Sequence, residues 1–254
     1  MSGHSKWATI KRQKAVTDKK KGAAFTKLSK ILTVAARAGG DPTMNFKLAT
    51  AIEKAREANM PSDTIDRAIK RGTGELGGAQ IETITYEGFG PGKAAVIVET
   101  LTDNKNRTVS NLKHIFSSHG GALGNSSSVM WMFERKGVIM VPFSGLAAAS
   151  GVAGGSGGAG GSLKDDFELK AIEAGAQDIK EEAEFLIIYT APEELTKVKG
   201  GIEALGVKIE SSELEYIGKE QVKISDEVKA KLEALFEELD VDDDVQNFYT
   251  NAEV

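Results

Sequence analysis

The chain has no cysteine and no long apolar run. Without a thiol among its 254 residues, disulfides, thiolate zinc sites and cysteine nucleophiles are excluded, and the composition fits a reducing compartment. No apolar stretch approaches the roughly 18 residues that a membrane span needs. The N-terminus is charged but is not followed by the apolar segment of a secretory signal. We therefore expect a cytoplasmic protein that does not contact a membrane.

Histidine is also scarce, with three in the chain. His114 and His119 are five residues apart, which places them about 140° from each other on a helix, so they cannot share a metal ion. No Ser-His-Asp, paired-carboxylate or Walker pattern is present in the sequence either. We therefore expect a protein that is not an enzyme and has no catalytic residue, no metal and no cofactor.

One acidic segment imitates a metal site. Asp240, Asp242 and Asp244 resemble the start of a calcium loop, but Val245 and Asn251 stand where such a loop requires glycine and glutamate. The pattern therefore favours an acidic, solvated turn.

Positive charge is concentrated at one end of an acidic chain. The formal net charge is −5, yet residues 1–37 hold ten Lys/Arg and one acid, a net charge of +9. Residues 38–75 are neutral, so the remainder carries −14, and residues 226–254 alone hold ten acids and two lysines. Such polarity indicates an anionic partner for the basic end and repulsion of that partner by the acidic end.

The basic segment predicts contact with nucleic acid. Lysines that neutralise phosphates release counterions, which supplies most of the non-specific affinity for nucleic acids. Trp7 and His4 lie inside the run, where an exposed ring can stack on a base. The alternative interpretation is a solvated lysine-rich face with a core tryptophan. The predicted nucleic-acid-binding residues are His4, Lys6, Trp7, Lys11, Arg12, Lys14, Lys19, Lys20, Lys21 and Lys27.

Two loops could also meet phosphates. In TDNKNRT, Thr102 to Thr108, cap-forming residues precede a helix, so Lys105 and Arg107 are predicted as secondary phosphate contacts, against the alternative of an ordinary capped turn. Gly88-Phe-Gly-Pro-Gly92 looks like a phosphate-binding loop. However, a strand rather than a helix follows it, which favours a hairpin turn.

Periodicity predicts an α+β protein. Apolar residues at helical spacing indicate three N-terminal helices, with Phe25, Leu28, Leu32 and Ala35 facing inward on the first and Phe46, Ala49, Ile52 and Ala55 on the second. The third is expected to start at Pro61-Ser62 with Ser62 as its cap. From residue 79 onward, strands and helices alternate with several hairpins, which favours two split βαβ-like units over a doubly wound sheet.

The first α/β unit lacks a strand and a helix before residue 135, and the last helix and strand of the chain can complete it. We therefore expect three domains. Residues 1–75 form a basic helical domain, and residues 79–134 plus 222–254 form an α/β domain. Residues 135–221 form an inserted α/β domain with a flexible Gly/Ala/Ser loop at 144–162. Val129 to Val141 is predicted as strand, broken at Arg135-Lys136-Gly137.

Several motifs together resemble the YebC family. They are SGHSKWATIKRQKA, KGAAFTKL, GGDP, AIEKAREANMPSDTIDRAIKRGTGE, YEGFGPG, LTDNKNRT, VMWMFERKGVI and YTAPEEL, and they extend over nearly the whole chain. Two departures are GGALGNSSSV, where the family tends to have GGNLG, and a longer Gly/Ala/Ser-rich loop. The resemblance implies a helical N-terminal domain and two α/β domains, the third inserted in the second, in an intracellular, non-enzymatic protein.

The resemblance implies two alternative functions. Members of the family are described as DNA-binding regulators of transcription, or as ribosome-associated translation factors that relieve stalling at proline-rich stretches, with a mitochondrial relative acting as a translational activator. The partner is therefore DNA, or ribosomal RNA on the ribosome. Lysines suit phosphate contact better than base readout, and no dimerising helix stands out, so we expect a monomer or weak dimer. A third class, an enzyme that uses a cleft between the α/β units, has no motif in its favour.

Overall fold

The protein is described by a computed structural model that covers residues 18–149, 160–182 and 184–253. Its helices are α1 (Asp18–Ala36), α2 (Phe46–Glu57), α3 (Ser62–Gly72), α4 (Lys105–Ser118), α5 (Phe143–Ala149), α6 (Gly160–Ala174), α7 (Leu195–Ala204) and α8 (Asp226–Val241). Its strands are β1 (Glu82–Phe89), β2 (Ala95–Thr102), β3 (Ala122–Leu123), β4 (Phe133–Pro142), β5 (Asp178–Glu182), β6 (Phe185–Thr190), β7 (Ser211–Gly218) and β8 (Val245–Thr250). Across these ranges, no helix is both long enough and apolar enough to cross a membrane.

The first three helices pack around a small apolar core. Leu32 of α1 and Leu48 of α2 are fully buried at its centre. Asn45 caps α2 by accepting a hydrogen bond from the backbone N–H of Leu48 at 3.1 Å, as its cap-forming chemistry predicts. The buried stripe of α2 then follows helical spacing through Leu48, Ala51, Ile52 and Ala55.

Two details of this bundle differ from the prediction. Phe46 is 81% exposed rather than inward-facing, because it precedes the buried stripe by two residues and points away from it. Ser62 is not the cap of α3 but its first residue. Pro61 stands at the cap position, where its fixed φ suits a helix start and no side-chain hydrogen bond is made.

The second part of the fold is a four-stranded antiparallel sheet in the order β3-β1-β2-β8. The turn Gly88 to Gly92 joins β1 to β2 as a hairpin, as predicted, through a short 3₁₀ turn at Pro91–Lys93. Helices α4 and α8 cover the sheet with Phe116 and Phe236, and Phe236 stacks on Phe248 of β8 at 4.9 Å between ring centroids. The last helix and strand of the chain therefore complete the sheet that begins at β1.

The third part is a separate compact unit, Phe133–Lys219. Its antiparallel sheet has the order β5-β6-β4-β7, and its core contains Ile139, Leu186, Ile188, Val198 and Ile202. The chain enters this unit from the β1–β3 sheet and leaves it toward α8. The predicted fold class, α+β with a helical N-terminal domain and one α/β domain inserted in another, is thus confirmed.

The predicted elements of this region need three corrections. Strand β4 starts at Phe133 rather than Val129 and runs without a break through Gly137, because it pairs with β6 and β7 on its two sides. Strand β5 was not predicted, since its sequence DIKEE has little apolar alternation. The predicted 144–162 loop is helical at both ends, in α5 and at the start of α6. The run of alanines in α5 favours helix, and residues 150–159 lie outside the described residues.

Candidate nucleic-acid interface

The predicted basic segment is described from Asp18 onward. His4, Lys6, Trp7, Lys11, Arg12 and Lys14 lie outside the described residues. Lys19, Lys20 and Lys21 belong to the first turn of α1. Lys27 and Lys30 follow on the same helix, and both side chains contact other parts of the chain.

Lys27 contacts an acidic turn at the end of α8. Its Nζ donates a hydrogen bond to the carbonyl oxygen of Asp240 at 2.6 Å and lies 3.9 Å from Oδ1 of the same residue. Burial lowers the pKa of Lys27, and the nearby charges of Asp240, Asp242 and Asp243 oppose this only in part. A phosphate that reached Lys27 would therefore have to displace Asp240.

Lys30 contacts the same turn one helical turn further along α1. Its Nζ lies 2.5 Å from Oδ1 of Asp244 and donates to the carbonyl oxygen of Asp243 at 2.7 Å. The side chain of Asp244 is 3% exposed and that of Lys30 is 14% exposed, so the ion pair is largely buried. Lys27 and Lys30 together attach the centre of α1 to the residues that join α8 to β8.

Asp244 is also bound from α4. The guanidinium of Arg107 lies 3.0 Å from Oδ1 and 3.1 Å from Oδ2 of Asp244, and the hydroxyl of Thr108 donates to Oδ2 at 2.8 Å. Burial by itself would raise the pKa of Asp244. The hydrogen bonds from Lys30 and Thr108, with the charge of Lys30 and the hydrogen bond from Arg107, outweigh it and hold the pKa below its ordinary value.

The TDNKNRT segment has a structural role at this point. Asn104 caps α4 by accepting the backbone N–H of Arg107 at 3.1 Å. Besides Asp244, the Arg107 guanidinium contacts Asp103 at 2.9 Å, and the ammonium of Lys105 lies 2.7 Å from Glu82 on β1. Both predicted secondary phosphate contacts thus already have carboxylate partners in the chain, although Lys105 remains half exposed.

The acidic turn is therefore not a solvated surface feature at Asp244, which is 2% exposed. Its Asp242 carboxylate accepts the backbone N–H of Asp244 at 2.8 Å, which shapes the turn. The resemblance to a calcium loop reflects carboxylates that bind lysine, arginine and threonine instead. Among the described residues, no group of three or more His, Asp or Glu side chains is placed to hold a metal ion.

Five other cations of the helical domain have no partner among the described residues. The side chains concerned lie on α2 and α3, are exposed, and make no hydrogen bond or ion pair within the part of the chain that the structure describes. They are Lys47, Arg56, Arg67, Lys70 and Arg71. Charge counting alone missed them, because acids interspersed along the sequence make residues 38–75 neutral overall.

Comparison with known proteins identifies the family. A family model described as the TACO1/YebC protein N-terminal domain matches residues 5–75, and one described as the TACO1/YebC second and third domain matches residues 81–252. The chain belongs to the TACO1/YebC family. The boundary between the two matched regions falls in the glycine-rich link that follows α3.

Relatives of similar length share about half of the residues of this TACO1/YebC chain. A protein of Pelotomaculum thermopropionicum is 47% identical over 255 residues, which cover 100% of this chain and 99% of the relative. One of Persephonella marina is 48% identical over 262 residues, covering 100% of this chain and 96% of the relative. Both are named probable transcriptional regulatory proteins, so the names indicate a family of regulators.

A solved structure supports the fold of this TACO1/YebC chain. A conserved hypothetical protein from Aquifex aeolicus matches it with a TM-score of 0.77 and 43% sequence identity, over 94% of this chain and 93% of that chain. The match covers nearly all of both chains, so it extends over all three parts of the fold.

Proposed function

We propose that this protein is a non-enzymatic regulator of gene expression that binds DNA through its basic N-terminal segment. The observation that carries the proposal is the concentration of nine Lys/Arg and one acid between Ser2 and Lys30 in a chain of net charge −5. The names of the relatives, which describe probable transcriptional regulatory proteins, support the regulatory role and favour DNA as the target.

The contacts of α1 suggest how the basic segment is held. Lys27 and Lys30 attach the middle of the helix to the acidic turn, while the run Lys19 to Lys21 lies at its start. A polyanion would meet the N-terminal cations and be repelled by the acidic α/β regions. His4, Lys6, Trp7, Lys11, Arg12, Lys14, Lys19, Lys20 and Lys21 are the proposed contacts. Lys27, Lys105 and Arg107 would contribute only after giving up their present partners.

Charge reversal at the start of α1 tests the proposal. Lys19→Glu/Lys20→Glu/Lys21→Glu should weaken binding to a DNA duplex and flatten the slope of log K against log salt, since each phosphate contact contributes about −0.9 to that slope. Glutamates suit the first turn of a helix, so α1 should still form. The matched control Lys197→Glu/Lys199→Glu/Lys208→Glu makes the same change in net charge in the inserted unit. An unchanged slope in the first variant would refute the proposal.

The second candidate function is translation, through ribosomal RNA. The observation in its favour is the composition of the segment, which is rich in lysine and carries Trp7 and His4 but offers few side chains suited to reading base edges. Stacking of an aromatic ring on unpaired bases contributes about 1–3 kcal/mol per base. Trp7→Ala should therefore reduce affinity for single-stranded RNA and leave duplex DNA affinity nearly unchanged if RNA is the target.

Sedimentation of a cell lysate at low and high salt separates the two candidates. Co-migration with ribosomes that is lost on deleting residues 1–21 would favour translation. Absence from ribosomes, together with a discrete footprint on DNA, would favour transcription.

A further inference from the structure

A cleft of mixed polar and apolar lining opens beside α1 within the unit that contains the helical domain. It encloses about 510 Å³ between α1, α3 and the glycine-rich link to β1. Hydroxyl groups from two helices and one arginine line it, together with the apolar side chains of Phe25 and Ile81 and residues of the link. The lining residues that matter here are Thr26, Ser29, Thr64, Arg71, Gly77 and Gly78.

The walls of the cleft are fixed by short-range contacts. Gly72 of α3 packs directly on the backbone of α1, since a Cβ at that position would collide with the carbonyl oxygen of Thr33. The Thr33 hydroxyl also donates to the carbonyl oxygen of Ala68 at 3.1 Å. These contacts hold α3, and with it Arg71, against α1.

The link is fixed at both ends. The backbone N–H of Leu76 donates to the carbonyl oxygen of Lys70 at 3.1 Å, and the guanidinium of Arg37 donates to the carbonyl oxygen of Ile81 at 2.5 Å. The backbone of residues 77–79 is thereby kept at the edge of the cleft, where Gly77 and Gly78 have no neighbouring atom within 4 Å of a would-be Cβ.

Three hydrogen-bond donors that line this cleft are unused within the described part of the chain. The hydroxyls of Ser29 and Thr64 and the guanidinium of Arg71 make no hydrogen bond or ion pair within the described residues. The Thr26 hydroxyl donates to the carbonyl oxygen of Gly22 at 3.1 Å. Hydroxyl and guanidinium groups are among the donors that bind phosphate oxygens in proteins.

The charge balance of the cleft also favours an anion. Lys30 and Asp103 line it as well, but each is already paired, Lys30 with Asp244 and Asp103 with Arg107. Arg71 is therefore the lining charge without a counter-ion in the described structure. An arginine prefers a ligand with two acceptor oxygens in one plane, which phosphodiesters provide.

We propose that this cleft binds a backbone phosphate of the nucleic acid that the basic N-terminal segment engages. The inference rests on the proposed function and extends it, because it adds a second contact, centred on Arg71, that charge counting does not reveal. The helical rise of about 1.5 Å per residue puts Thr26 roughly 10 Å along α1 from Lys19. One nucleic-acid strand can therefore contact the first turn of α1 and the cleft together.

Substitution of Arg71 in the full-length chain is the first test. Arg71→Ala should weaken binding to a labelled duplex or single-stranded RNA about threefold to tenfold, and equally for all sequences, as expected for one charged hydrogen-bonding contact. It should also reduce the magnitude of the salt slope by about one phosphate contact. Arg56→Ala is the matched control, because Arg56 is an exposed and unpartnered arginine of α2 that does not line the cleft. Equal affinities for the two variants would overturn the inference.

A second variant tests the cleft without removing a cation. Thr64 is the third residue of α3, where an acid is favourable for the helix. Thr64→Asp should therefore preserve the fold, checked by thermal unfolding, yet weaken nucleic-acid binding by introducing a negative charge. Thr64→Asn, similar in size and neutral, should retain most of the affinity. Binding by Thr64→Asp that matches Thr64→Asn would count against a phosphate in the cleft.

Inorganic phosphate tests whether the cleft binds free phosphate rather than the phosphate of a nucleic-acid backbone. If the cleft instead takes free phosphate, millimolar phosphate should raise the melting temperature of the wild-type chain but not of Arg71→Ala, while oligonucleotide affinity is the same for both. That result would overturn the inference. A loss of affinity in the Lys19–Lys21 variant with no loss in Arg71→Ala would retain the proposed function but reject the cleft. No loss in either would reject both.

Discussion

The ammonium of Lys30 and the carboxylate of Asp244 lie 2.5 Å apart, although 214 residues separate them in the chain. Their ion pair connects the basic helix α1 to the acidic turn before β8, and Arg107 and Thr108 complete the set of donors around the carboxylate. The two oppositely charged ends of the sequence therefore meet here and at the neighbouring contact of Lys27 with Asp240. Two positive charges of the N-terminal segment, Lys27 and Lys30, therefore contact acidic residues of the same chain. The other cations of the segment precede them in the sequence.

Removing the Asp244 charge should destabilise the protein. In Asp244→Asn, Lys30 keeps its charge in a largely buried position, and Arg107 loses its principal counter-ion. Removing one partner of a buried ion pair typically costs more than the pair contributes, and we expect a loss of about 2–3 kcal/mol in the free energy of unfolding. Urea unfolding followed by circular dichroism measures this change.

Asp243→Asn is the matched control for that experiment. It removes the same charge from the neighbouring, exposed residue, whose carbonyl oxygen rather than its carboxylate binds Lys30. Its effect should stay within about 0.5 kcal/mol, as for most surface substitutions. Equal losses in the two variants would show that the local charge, not the buried ion pair, is what matters.

The same carboxylate makes stability depend on pH. Because the pKa of Asp244 is lowered in the folded state, the folded chain binds fewer protons than the unfolded chain near that pKa. The stabilisation is present above the unfolded pKa of about 3.9 and is lost as the pH falls through the folded value. Wild-type stability should therefore drop by more than that of Asp244→Asn as the pH falls below about 4. Parallel pH profiles for the two proteins would contradict this.

Several parts of the fold follow from local sequence signals. Asn45 and Ser225 are cap-forming residues placed directly before apolar periodic stretches, and both accept the expected backbone N–H, from Leu48 and Val228 respectively. The hairpin at Gly88 to Gly92 follows from turn chemistry and the strand after it. The completion of the first sheet by the last strand follows from counting strands and helices, because an α/β unit with one helix leaves half of its sheet uncovered.

The elements that were predicted wrongly or not at all depend on partners that are distant in the sequence. Strand β5 is a charged edge strand whose pairing with β6 alone defines it, and charged edges are common because they prevent further pairing. Val129 precedes a strand rather than starting one, because Glu87, 42 residues earlier, accepts its backbone N–H. In the candidate site, charge counting locates the basic segment. It cannot show that Asp240 and Asp244 bind Lys27 and Lys30, since that pairing requires the tertiary fold.

Glu87 should be essential for the order of the segment that carries Trp131. Its carboxylate accepts backbone N–H groups from Ser127 at 2.6 Å, Val129 at 2.8 Å and Met130 at 2.7 Å. Burial would raise the pKa of Glu87, but these three hydrogen bonds together lower it, so the carboxylate is charged at neutral pH. In Glu87→Gln an amide N–H₂ would face one of the N–H donors, at a cost of about 1–3 kcal/mol.

Hydrogen exchange measures this effect locally. The amides of Ser127, Val129 and Met130 should exchange faster in Glu87→Gln, and the fluorescence of Trp131 should change when observed in a Trp7→Phe background. The control is Glu82→Gln on the same strand, because the Glu82 side chain is 53% exposed and its ion pair among the described residues is with the half-exposed Lys105. Unaltered exchange in Glu87→Gln would contradict the assigned role.

Two glycines should respond to alanine in opposite directions. Gly92 has φ +68° in the turn between β1 and β2, and a Cβ there would lie 2.5 Å from Cγ1 of Val228 on α8. Both the left-handed backbone and the contact oppose a side chain, so Gly92→Ala should destabilise the protein by about 1–3 kcal/mol.

Gly200 lies inside α7 with no neighbouring atom within 4 Å of its would-be Cβ. Gly200→Ala should therefore stabilise the protein by about 0.5–1 kcal/mol, since alanine loses less backbone entropy in a helix. Thermal unfolding of the two variants beside the wild type measures both shifts, and a loss of stability in Gly200→Ala would mean that the exposed face of α7 is covered by another part of the molecule.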